Sequence, residues 1–362
     1  MNKHNILIIG AGKIGLAVAS LLARTNDYKV YLGDLNQPHN LPYIADNQIE
    51  FIVSNINKPD EITQLIKSNG IKAVISCLPF NLTLEVAKIA YECGIDYFDP
   101  TEDVEITNSI KQMATTSASS FAPQCGLAPG FISIATNSLI NKFETVENVK
   151  MRVGALAQST SNRLNYAFTW SFEGVINEYI RPCKVIADGR EKLMPALSDL
   201  EPLILDGVEY EAFHTSGGIG SLVDTYLGRI KNLDYKTMRY PGHCHKMTFL
   251  LQDLKLKNNP NLAKQILTNA IPYTRQDKVV IYVSVEGDKD GQLCEVNYTK
   301  TIYPLEISGY LYTAIQIATA SSICVVVDMV VHEKKLSGFI RQEQISLDEF
   351  LANRFGKYYT KS

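Results

Sequence analysis

Three glycines stand at the spacing that a phosphate-binding turn requires. The segment Gly10-Ala11-Gly12-Lys13-Ile14-Gly15 has the pattern GxGxxG and directly follows a short apolar run at residues 5–9. In such a loop the first glycine allows the tight turn, the second lets the backbone approach a pyrophosphate, and the third lets the following helix pack on the strand. The helix N-terminus then presents backbone N–H groups to the phosphates. The pattern predicts a dinucleotide-binding loop that consists of Gly10, Gly12, Lys13, Ile14 and Gly15.

An acidic residue follows at the distance expected for ribose recognition. Apolar residues recur at helical spacing over residues 16–22, a second strand pattern covers 29–33, and Asp34 ends it. A carboxylate at this place accepts hydrogen bonds from the ribose hydroxyls and repels a 2′-phosphate. No arginine or lysine occurs in Leu35-Asn36-Gln37, so we predict NAD rather than NADP as the cofactor. The alternative is a structural glycine turn in a fold that has lost its cofactor.

Strand and helix patterns alternate up to about residue 127. Further strand patterns occupy residues 50–53, 73–78, 96–99 and 119–123, with helical patterns between them. This alternation predicts an α/β fold with a doubly wound parallel sheet of the Rossmann type, whose ligands bind outside the carboxyl ends of the strands. Residues 1–127 are therefore predicted to form the NAD-binding domain. The loop Cys77-Leu78-Pro79, together with Leu35, is predicted to contact the cofactor.

Residues 128–304 show a different pattern of long strands and few helices. Strand-like runs cover 146–156, 166–171, 208–215, 235–239, 279–286 and 293–302. They predict an inserted α+β domain with a mixed or antiparallel sheet, which we expect to bind the substrate and, through a free sheet face, to form a homodimer. Residues 305–362 contain an apolar helical pattern at 309–331 and a last helix that Ser346 would cap. We expect both helices to return to the Rossmann domain.

Composition sets further limits on function. The chain has 362 residues, a formal net charge of −3 and 20% charged residues, which gives no indication of binding to nucleic acid or to a membrane surface. Its seven cysteines form no CxxC pair, a pattern typical of buried thiols in a reducing compartment, so we expect a cytoplasmic protein. The apolar segment 310–331 contains too many polar residues for an easy membrane span, which favours a buried helix. The first strand pattern begins near the N-terminus, so a signal peptide is not expected.

Several short sequence segments resemble those of one known family. They are Gly126-Leu127-Ala128-Pro129-Gly130-Phe131, residues 166–174 (YAFTWSFEG), residues 211–218 (EAFHTSGG) and residues 235–243 (YKTMRYPGH). In these strings, and in their order along almost the whole chain, the sequence resembles the saccharopine dehydrogenase superfamily and, within it, the lysine 6-dehydrogenase branch. The resemblance implies a Rossmann domain with an inserted α/β domain, closed by C-terminal helices.

The resemblance also implies oxidation of a carbon–nitrogen bond with NAD. Hydride would leave the carbon that bears the amine, and water would then attack the imine. For the lysine side-chain amine, the resulting semialdehyde cyclises to a piperideine carboxylate. Glutamate-forming saccharopine dehydrogenases typically have an arginine two residues after a Trp-Ser pair, whereas this chain has Glu173 there. An acid at that position favours an amine substrate such as free lysine.

This chemistry requires a base and a group that holds the substrate carboxylate. An ammonium has no free electron pair, and the side chain of free lysine has a pKa of about 10.4, so a proton must be removed. The predicted catalytic residues are His214, Asp99 and Lys236, and Glu102 and His243 are further base candidates. Arg239 is predicted to grip a carboxylate with paired hydrogen bonds. The other predicted substrate-binding residues are Glu173, Tyr240, Tyr166 and Thr215. No metal site is predicted, because His243-Cys244-His245 lacks a fourth ligand nearby.

Two other functions stay open on the sequence. One is a reductive amination that joins an amine to an oxo acid, as saccharopine-forming or carboxy-polyamine-forming enzymes do. The other is a protein that binds NAD without turnover, for sensing or assembly. A larger pocket with two basic carboxylate anchors would favour the first alternative, and tight NAD binding without oxidation of any amine would favour the second.

Overall fold

Six short apolar strands form a parallel sheet in the first part of the chain. They are β1 (His4–Ile9), β2 (Tyr28–Asp34), β3 (Ile49–Val53), β4 (Ala73–Ser76), β5 (Asp96–Phe98) and β6 (Phe121–Ala122). Their order is β3-β2-β1-β4-β5-β6. The helices that connect them are α1 (Lys13–Ala23), α2 (Pro59–Ser68), α3 (Phe80–Cys93) and α4 (Val104–Ala114). Residues 6–9 of the central strand β1 are all buried, as expected for a strand with helices on both faces. The sheet confirms the predicted Rossmann-type architecture.

The chain divides into two units. The structure is a computed structural model that describes residues 3–38 and 49–360. Unit 1 comprises residues 1–131, 306–312 and 316–361 and contains the parallel sheet; unit 2 comprises residues 132–305 and 313–315. The core of unit 1 includes Leu7, Val74, Val86 and Ile110, which come from two strands and two of the connecting helices.

A mixed eight-stranded sheet forms the centre of unit 2. Its strands are β7 (Thr145–Ala157), β8 (Cys183–Ala187), β9 (Arg190–Met194), β10 (Glu201–Leu205), β11 (Val208–His214), β12 (Ile230–Arg239), β13 (Asp277–Lys289) and β14 (Gln292–Ile302). Six of them follow the order β10-β11-β12-β7-β13-β14, while β8 pairs with β12 and β9 pairs with β8. Strand β7 runs parallel to β12 and antiparallel to β13. The predicted mixed sheet is therefore confirmed.

The helices of this part of the chain lie before and between these strands in the sequence. They are α5 (Phe131–Ile140), α6 (Phe172–Ile180), α7 (Leu222–Tyr226), α8 (His243–Thr248) and α9 (Pro260–Ala270), with a π-helical turn at Phe249–Asp253 and a short 3₁₀ turn at Leu256–Asn258. Apolar side chains of α6, α8 and α9 pack together with Phe213 of β11. That packing fixes which residues of β11 and β12 point toward the helices.

One predicted strand is wrong, and strands β8, β9 and β10 were missed. Residues 166–171 form no strand among the described residues; Phe168 makes a single isolated bridge to Tyr273. The reason is visible in the burial, because all residues from 166 to 169 are buried rather than every second one. The β8–β9 hairpin was missed because Arg190–Met194 is a mostly exposed, charged strand without an apolar period.

The C-terminal segment contributes a buried apolar helix. Strands β15 (Leu305–Ile307) and β16 (Tyr310–Tyr312) precede α10 (Ala314–Val327), a π-helical turn at Asp328–His332, a 3₁₀ turn at Gln342–Gln344, and helices α11 (Leu347–Ala352) and α12 (Lys357–Thr360). The stretch Ala314–His332 is long and apolar enough to cross a membrane, but 94% of its most apolar window is buried within the protein. Burial of this kind is typical of a core helix. Ser346 stands at the N-cap of α11, although its hydroxyl bonds to no described helix N–H.

Candidate functional site

The glycine loop of unit 1 has the shape that a pyrophosphate requires. Gly10 has a φ of +106°, and a Cβ atom placed on it would lie 2.6 Å from the carbonyl oxygen of Cys77. A Cβ on Gly15 would lie 1.8 Å from the carbonyl oxygen of Gly10, so α1 packs directly against the loop. A Cβ on Gly12 would meet no described atom within 4 Å. The space in front of Gly12, at the start of α1, is therefore open to a ligand that approaches the backbone.

Asp34 is fixed beside this loop. Its Oδ2 accepts a hydrogen bond from the backbone N–H of Ala11 at 2.6 Å, and its Oδ1 accepts one from the N–H of Leu35 at 2.6 Å. A carboxylate has lone pairs for further donors, so both oxygens can still accept hydrogen bonds from ribose hydroxyls. Leu35 follows with 58% of its surface exposed. The glycine loop and Asp34 together fit a bound dinucleotide.

The loop after β4 lies next to the glycine loop. The backbone N–H of Cys77 donates to the carbonyl of Ile9 at 2.8 Å, and Leu78 and Pro79 lead into α3. Burial, with the charge of Asp99 added, raises the pKa of the Cys77 thiol to about 12. Cys77 is therefore a neutral thiol at physiological pH, and the backbone is the part of this loop suited to contact a cofactor.

Asp99 directly follows β5 at the carboxyl edge of the same sheet. Its Oδ1 accepts hydrogen bonds from the backbone N–H groups of Thr101 at 2.7 Å and Gln124 at 3.5 Å. It does not cap the next helix, because Asp103 does so by accepting from the N–H of Ile106 at 3.0 Å. Burial raises the pKa of Asp99 to about 6. Of the predicted catalytic residues, Asp99 is the one in the nucleotide-binding unit.

Arg239 of unit 2 lies in a cage of aromatic rings. Only 2% of its surface is exposed, and its guanidinium carbon lies 5.0 Å from the ring centre of Tyr166 and 5.8 Å from that of Tyr179. Its Nε donates to the hydroxyl of Tyr179 at 2.9 Å, and its Nη1 donates to the carbonyl of Met238 at 2.8 Å. Cation–π contacts of this kind stabilise a buried arginine. Arg239 is thus a buried cation and not part of a surface ion pair.

A directed chain of hydrogen bonds continues from Arg239. Tyr179 receives the Arg239 Nε–H, and its hydroxyl lies 3.1 Å from Nε2 of His243. The Nδ1 of His243 lies 2.8 Å from the carbonyl oxygen of Leu164. A carbonyl only accepts, so Nδ1 carries the proton and Nε2 accepts from Tyr179. Burial, with the charge of Arg239 added, lowers the pKa of His243 to about 3, which makes it a neutral structural imidazole and a poor base.

A second charged group lies on the opposite face of the unit 2 sheet. Lys236 Nζ lies 2.8 Å from Asp199 Oδ2 and 3.0 Å from Glu201 Oε2. Further contacts of this ion network are Arg152 Nε to Glu201 Oε1 at 2.5 Å, Arg152 Nη1 to Asp234 Oδ1 at 3.0 Å, Lys236 Nζ to Asp234 Oδ2 at 3.9 Å, and His214 Nε2 to Asp199 Oδ2 at 3.4 Å. Burial is the largest cause that lowers the pKa of His214. Lys236 and Arg152 are almost fully buried, so this network holds their charges in fixed ion pairs.

The structure does not bring the predicted catalytic and substrate-binding residues of unit 2 together. Successive residues of a strand point to opposite faces, and Lys236 and Arg239 are three residues apart on β12. His214 is paired with Lys236, whereas Glu211 is paired with Arg239. Our prediction placed His214 and Lys236 in the same reaction as Arg239. That grouping needs correction, because the sheet lies between them and Lys236 already has carboxylate partners.

Three further predicted substrate residues have other partners. Glu173 is in the first turn of α6, its side chain is 48% exposed, and its Oε1 lies 2.5 Å from Lys264 Nζ. The prediction that Glu173 receives the substrate amine is corrected accordingly: it forms a surface ion pair. Thr215 lies on the helix-covered side, where its Oγ1 is 2.9 Å from that of Thr237. Tyr240 donates to the carbonyl of Ala157 at 2.8 Å and packs with the other sheet face.

One group of side chains has the spacing of a metal site. The ligand atoms of Asp199, His214 and Asp234 lie within 4.8 Å of one another. Lys236 already lies 2.8 Å from Asp199, and both Nη atoms of Arg152 donate to the Asp234 carboxylate at 3.0 and 3.1 Å. These cations neutralise the carboxylates, so the group is accounted for as an ion network.

Sequence reasoning missed Arg152 and Tyr179. Arg152 is the largest fully buried side chain in the described part of the protein, and Tyr179 links Arg239 to His243. The sequence could have indicated Arg152, because a charged residue inside the apolar run of β7 is a candidate buried charge, and a buried charge requires partners. No local pattern pointed to Tyr179, which lies 60 residues from Arg239.

Two family models match nearly the whole chain. The model described as the saccharopine dehydrogenase NADP binding domain matches residues 6–128, and the model described as the saccharopine dehydrogenase C-terminal domain matches residues 126–358. The chain belongs to the saccharopine dehydrogenase family. The resemblance inferred from the sequence is confirmed, and residues 6–128 of this saccharopine dehydrogenase family member match the nucleotide-binding domain of that family.

Known proteins similar to this family member have low sequence identity to it, and the solved structures among them share its fold. Alpha-aminoadipic semialdehyde synthase, mitochondrial, of Rattus norvegicus is 22% identical over 315 residues, which are 79% of this chain and 34% of that protein. This chain thus spans about a third of that relative. Apo saccharopine dehydrogenase (L-Glu forming) from Saccharomyces cerevisiae is 15% identical with a TM-score of 0.75, covering 98% of both chains. Homospermidine synthase from Legionella pneumophila in complex with NAD is 12% identical with a TM-score of 0.66, covering 100% of this chain and 90% of that one.

Proposed function

We propose that this protein is an NAD-dependent dehydrogenase that oxidises the carbon–nitrogen bond of the lysine side chain to the semialdehyde, which cyclises to a piperideine carboxylate. The observation that carries the proposal is the glycine loop of unit 1 with Asp34 bonded to it, in a member of the saccharopine dehydrogenase family. When bound, the dinucleotide supplies the nicotinamide that accepts hydride. The residues of this chain then have to hold the substrate and remove a proton from its nitrogen.

The binding of the dinucleotide can be tested at Gly12 without disturbing the fold. Because a Cβ on Gly12 would meet no described atom within 4 Å and its φ is −73°, Gly12→Ala should fold normally. The new methyl group would occupy the space through which a pyrophosphate approaches the loop. We expect NADH binding, measured by nucleotide fluorescence, to weaken by at least about 10-fold while the melting temperature stays unchanged. Unaltered NADH affinity in Gly12→Ala would contradict the assignment of this loop.

The preference for NAD rests on the charge at Asp34. A 2′-phosphate would meet this carboxylate, and the exposed Leu35 beside it offers no positive charge. We expect the wild-type protein to bind NADH at least about 10-fold more tightly than NADPH. In Asp34→Ser the difference between the two affinities should be smaller. Equal affinities in the wild type would overturn the NAD preference and leave the dinucleotide assignment in place.

Arg239 and Tyr166 are the proposed partners of the substrate carboxylate. Arg239 is charged and buried, and the hydroxyl of Tyr166 is buried without a hydrogen-bond partner among the described residues. Tyr166→Phe removes only that hydroxyl, so we expect no loss of stability and a KM for lysine raised about 3- to 10-fold. An unchanged KM in Tyr166→Phe would exclude contact between this hydroxyl and the substrate. Arg239→Lys should raise KM further, because a lysine cannot make the paired hydrogen bonds.

The substrate is tested by direct turnover. Purified protein with NAD and lysine at mildly alkaline pH should produce NADH, measured by its absorbance, and a piperideine product, measured by mass spectrometry. Saccharopine is the matched alternative substrate, and NADH with pairs of amines and oxo acids tests the reverse condensation. Faster turnover in the condensation assay than with lysine would replace the proposal with reductive amination. Tight NADH binding without turnover of any amine would indicate a catalytically silent protein.

A further inference from the structure

The end of β5 brings an acidic side chain to the same carboxyl edge of the sheet as the nucleotide-binding loop of unit 1. The sheet order places β1, β4 and β5 side by side, and the carbonyl of Cys77 after β4 is packed against Gly10. Asp99 follows β5 at the same carboxyl edge, where ligands of such sheets bind. None of its surface is exposed.

One oxygen of the Asp99 carboxylate has no hydrogen-bond partner among the described residues. Its Oδ1 accepts from Thr101 and Gln124, but Oδ2 is buried without a partner among the described residues. The neighbouring hydroxyl of Tyr97 donates to the carbonyl of Thr83 at 3.4 Å, and its interaction with the Asp99 carboxyl partly offsets the rise in pKa that burial causes. Buried polar atoms are almost always bonded, so an oxygen that fold contacts leave free is suited to a ligand that brings a donor.

The surroundings of Asp99 favour a cationic donor. The titratable groups around it are Glu102, Asp103, Tyr97 and the thiols of Cys77 and Cys125. Burial raises the pKa of both thiols and of Tyr97, so these groups stay neutral. Burial, with the charges of Asp103 and Asp99 added, raises the pKa of Glu102 to about 7. Among the described residues, no cation is a leading cause of the pKa shift of Asp99. Neighbouring carboxylates without a cation stabilise a bound ammonium.

We propose that Asp99 is the catalytic base that accepts a proton from the substrate ammonium. The inference rests on the proposed function and assigns its proton acceptor. An N–H bond of the ammonium breaks, an O–H bond forms on Oδ2 of Asp99, and the nitrogen keeps the electron pair that hydride loss requires. Asp99 changes from negative to neutral.

This assignment replaces the other base candidates. His214 and Lys236 are held in the ion network on the far face of the unit 2 sheet. His243 accepts from Tyr179 and has a strongly lowered pKa. Asp99 is the candidate with a free, buried acceptor oxygen and with a pKa near neutrality.

The experiment compares Asp99→Asn with Asp96→Asn. Asp96 begins the same strand, is partly buried and accepts from the N–H of Ser120 at 2.8 Å, so it is a matched carboxylate away from the nucleotide-binding edge. We measure the pH profile of kcat/KM for lysine, the affinity of NADH, and the affinity of lysine for the protein saturated with NADH. Oxidation cannot occur in that complex, so the last readout is independent of turnover.

In Asp99→Asn we expect kcat/KM to fall at least about 100-fold. The acidic limb of its pH profile should disappear and lysine should bind at least about 10-fold more weakly, while the affinity of NADH is unchanged. Asp96→Asn should match the wild type.

Two results would overturn the inference while leaving the proposed function intact. One is an active Asp99→Asn with an unchanged acidic limb. The other is an Asp99→Asn that loses NADH binding and lysine binding together, which would indicate a structural role. A wild-type protein that oxidises no amine would instead refute the proposed function, so the two failures are distinguishable.

Discussion

The buried carboxylate of Asp99 should make unit 1 less stable as the pH rises. Its pKa is about 6 in the folded protein, against an ordinary value of 3.8, and each unit of pKa corresponds to about 1.4 kcal/mol. Ionisation of Asp99 therefore costs the folded state about 3 kcal/mol. Between pH 3.8 and about pH 6 the folded state binds more protons than the unfolded state. The free energy of unfolding therefore falls as the pH rises through this range and is constant above it.

Asparagine at this position removes the titration and keeps the shape. The amide oxygen of Asp99→Asn can still accept from the N–H of Thr101. We expect the stability of Asp99→Asn relative to the wild type to increase by about 2 kcal/mol between about pH 4.5 and pH 8. Urea unfolding followed by circular dichroism at both pH values measures this change. Groups that Asp99 does not influence cancel in the difference, whereas Glu102, whose pKa the charge of Asp99 also raises, adds to it with the same sign. A stability difference that is the same at both pH values would refute the reasoning that burial raises the pKa of this carboxyl.

The remaining substitutions test packing and ion pairs. Gly15→Ala places a methyl carbon 1.8 Å from the carbonyl oxygen of Gly10, so we expect thermal unfolding to show a loss of several kcal/mol in stability. A melting temperature like that of the wild type would contradict the observed packing of α1. Glu173→Gln breaks a half-exposed ion pair with Lys264. It should change stability by less than about 1 kcal/mol and kcat/KM by less than about 3-fold. A large rise in KM would indicate that Glu173 does bind the substrate amine. Lys236→Met leaves carboxylates of the ion network unpaired and should destabilise the protein by about 3 kcal/mol, while a loss of kcat without a loss of stability would restore a catalytic role.

The nucleotide-binding edge could be read from the sequence because its determinants are local. Gly10 to Asp34 form one continuous strand–loop–helix–strand segment, and each glycine has a separate steric role in the structure. The same holds for the alternation of strands and helices that predicted the parallel sheet. Local patterns of this kind specify the order of elements and the edge at which a ligand binds.

The residues of unit 2 were harder to group because a sheet face depends on register. Lys236 and Arg239 lie close in sequence, yet the period of two along β12 places them on opposite faces, and this period could have been applied to the sequence. The partners of Arg239 could not be inferred in the same way. Tyr179 lies 64 residues from His243, and Arg152 lies 82 residues from Asp234. Such pairs follow from strand order and helix packing, which no short segment encodes.

His243 should give unit 2 a pH dependence of the opposite sign to that of Asp99. Its pKa is about 3 in the folded protein, against an ordinary value of 6.5, because it is buried beside Arg239. The unfolded chain therefore binds a proton at mildly acidic pH that the folded state excludes. Stability is full above the unfolded pKa and is lost as the pH falls from about 6.5 toward 3. Between pH 7 and pH 5 the expected loss is about 2 kcal/mol.

The single tryptophan makes this effect measurable in unit 2. Trp170 is the only tryptophan of the chain and packs against the same apolar core as Tyr179, so its fluorescence reports the unfolding of that core. His243→Gln keeps a donor for the carbonyl of Leu164 and an acceptor for Tyr179 but does not titrate. We expect the urea midpoint of Trp170 fluorescence to fall with pH in the wild type and to fall less in His243→Gln. Equal pH dependence in both proteins would mean that a group other than His243 causes it. The hydrogen bonds from Arg239 through Tyr179 to His243 would then make no contribution to the pH dependence of stability.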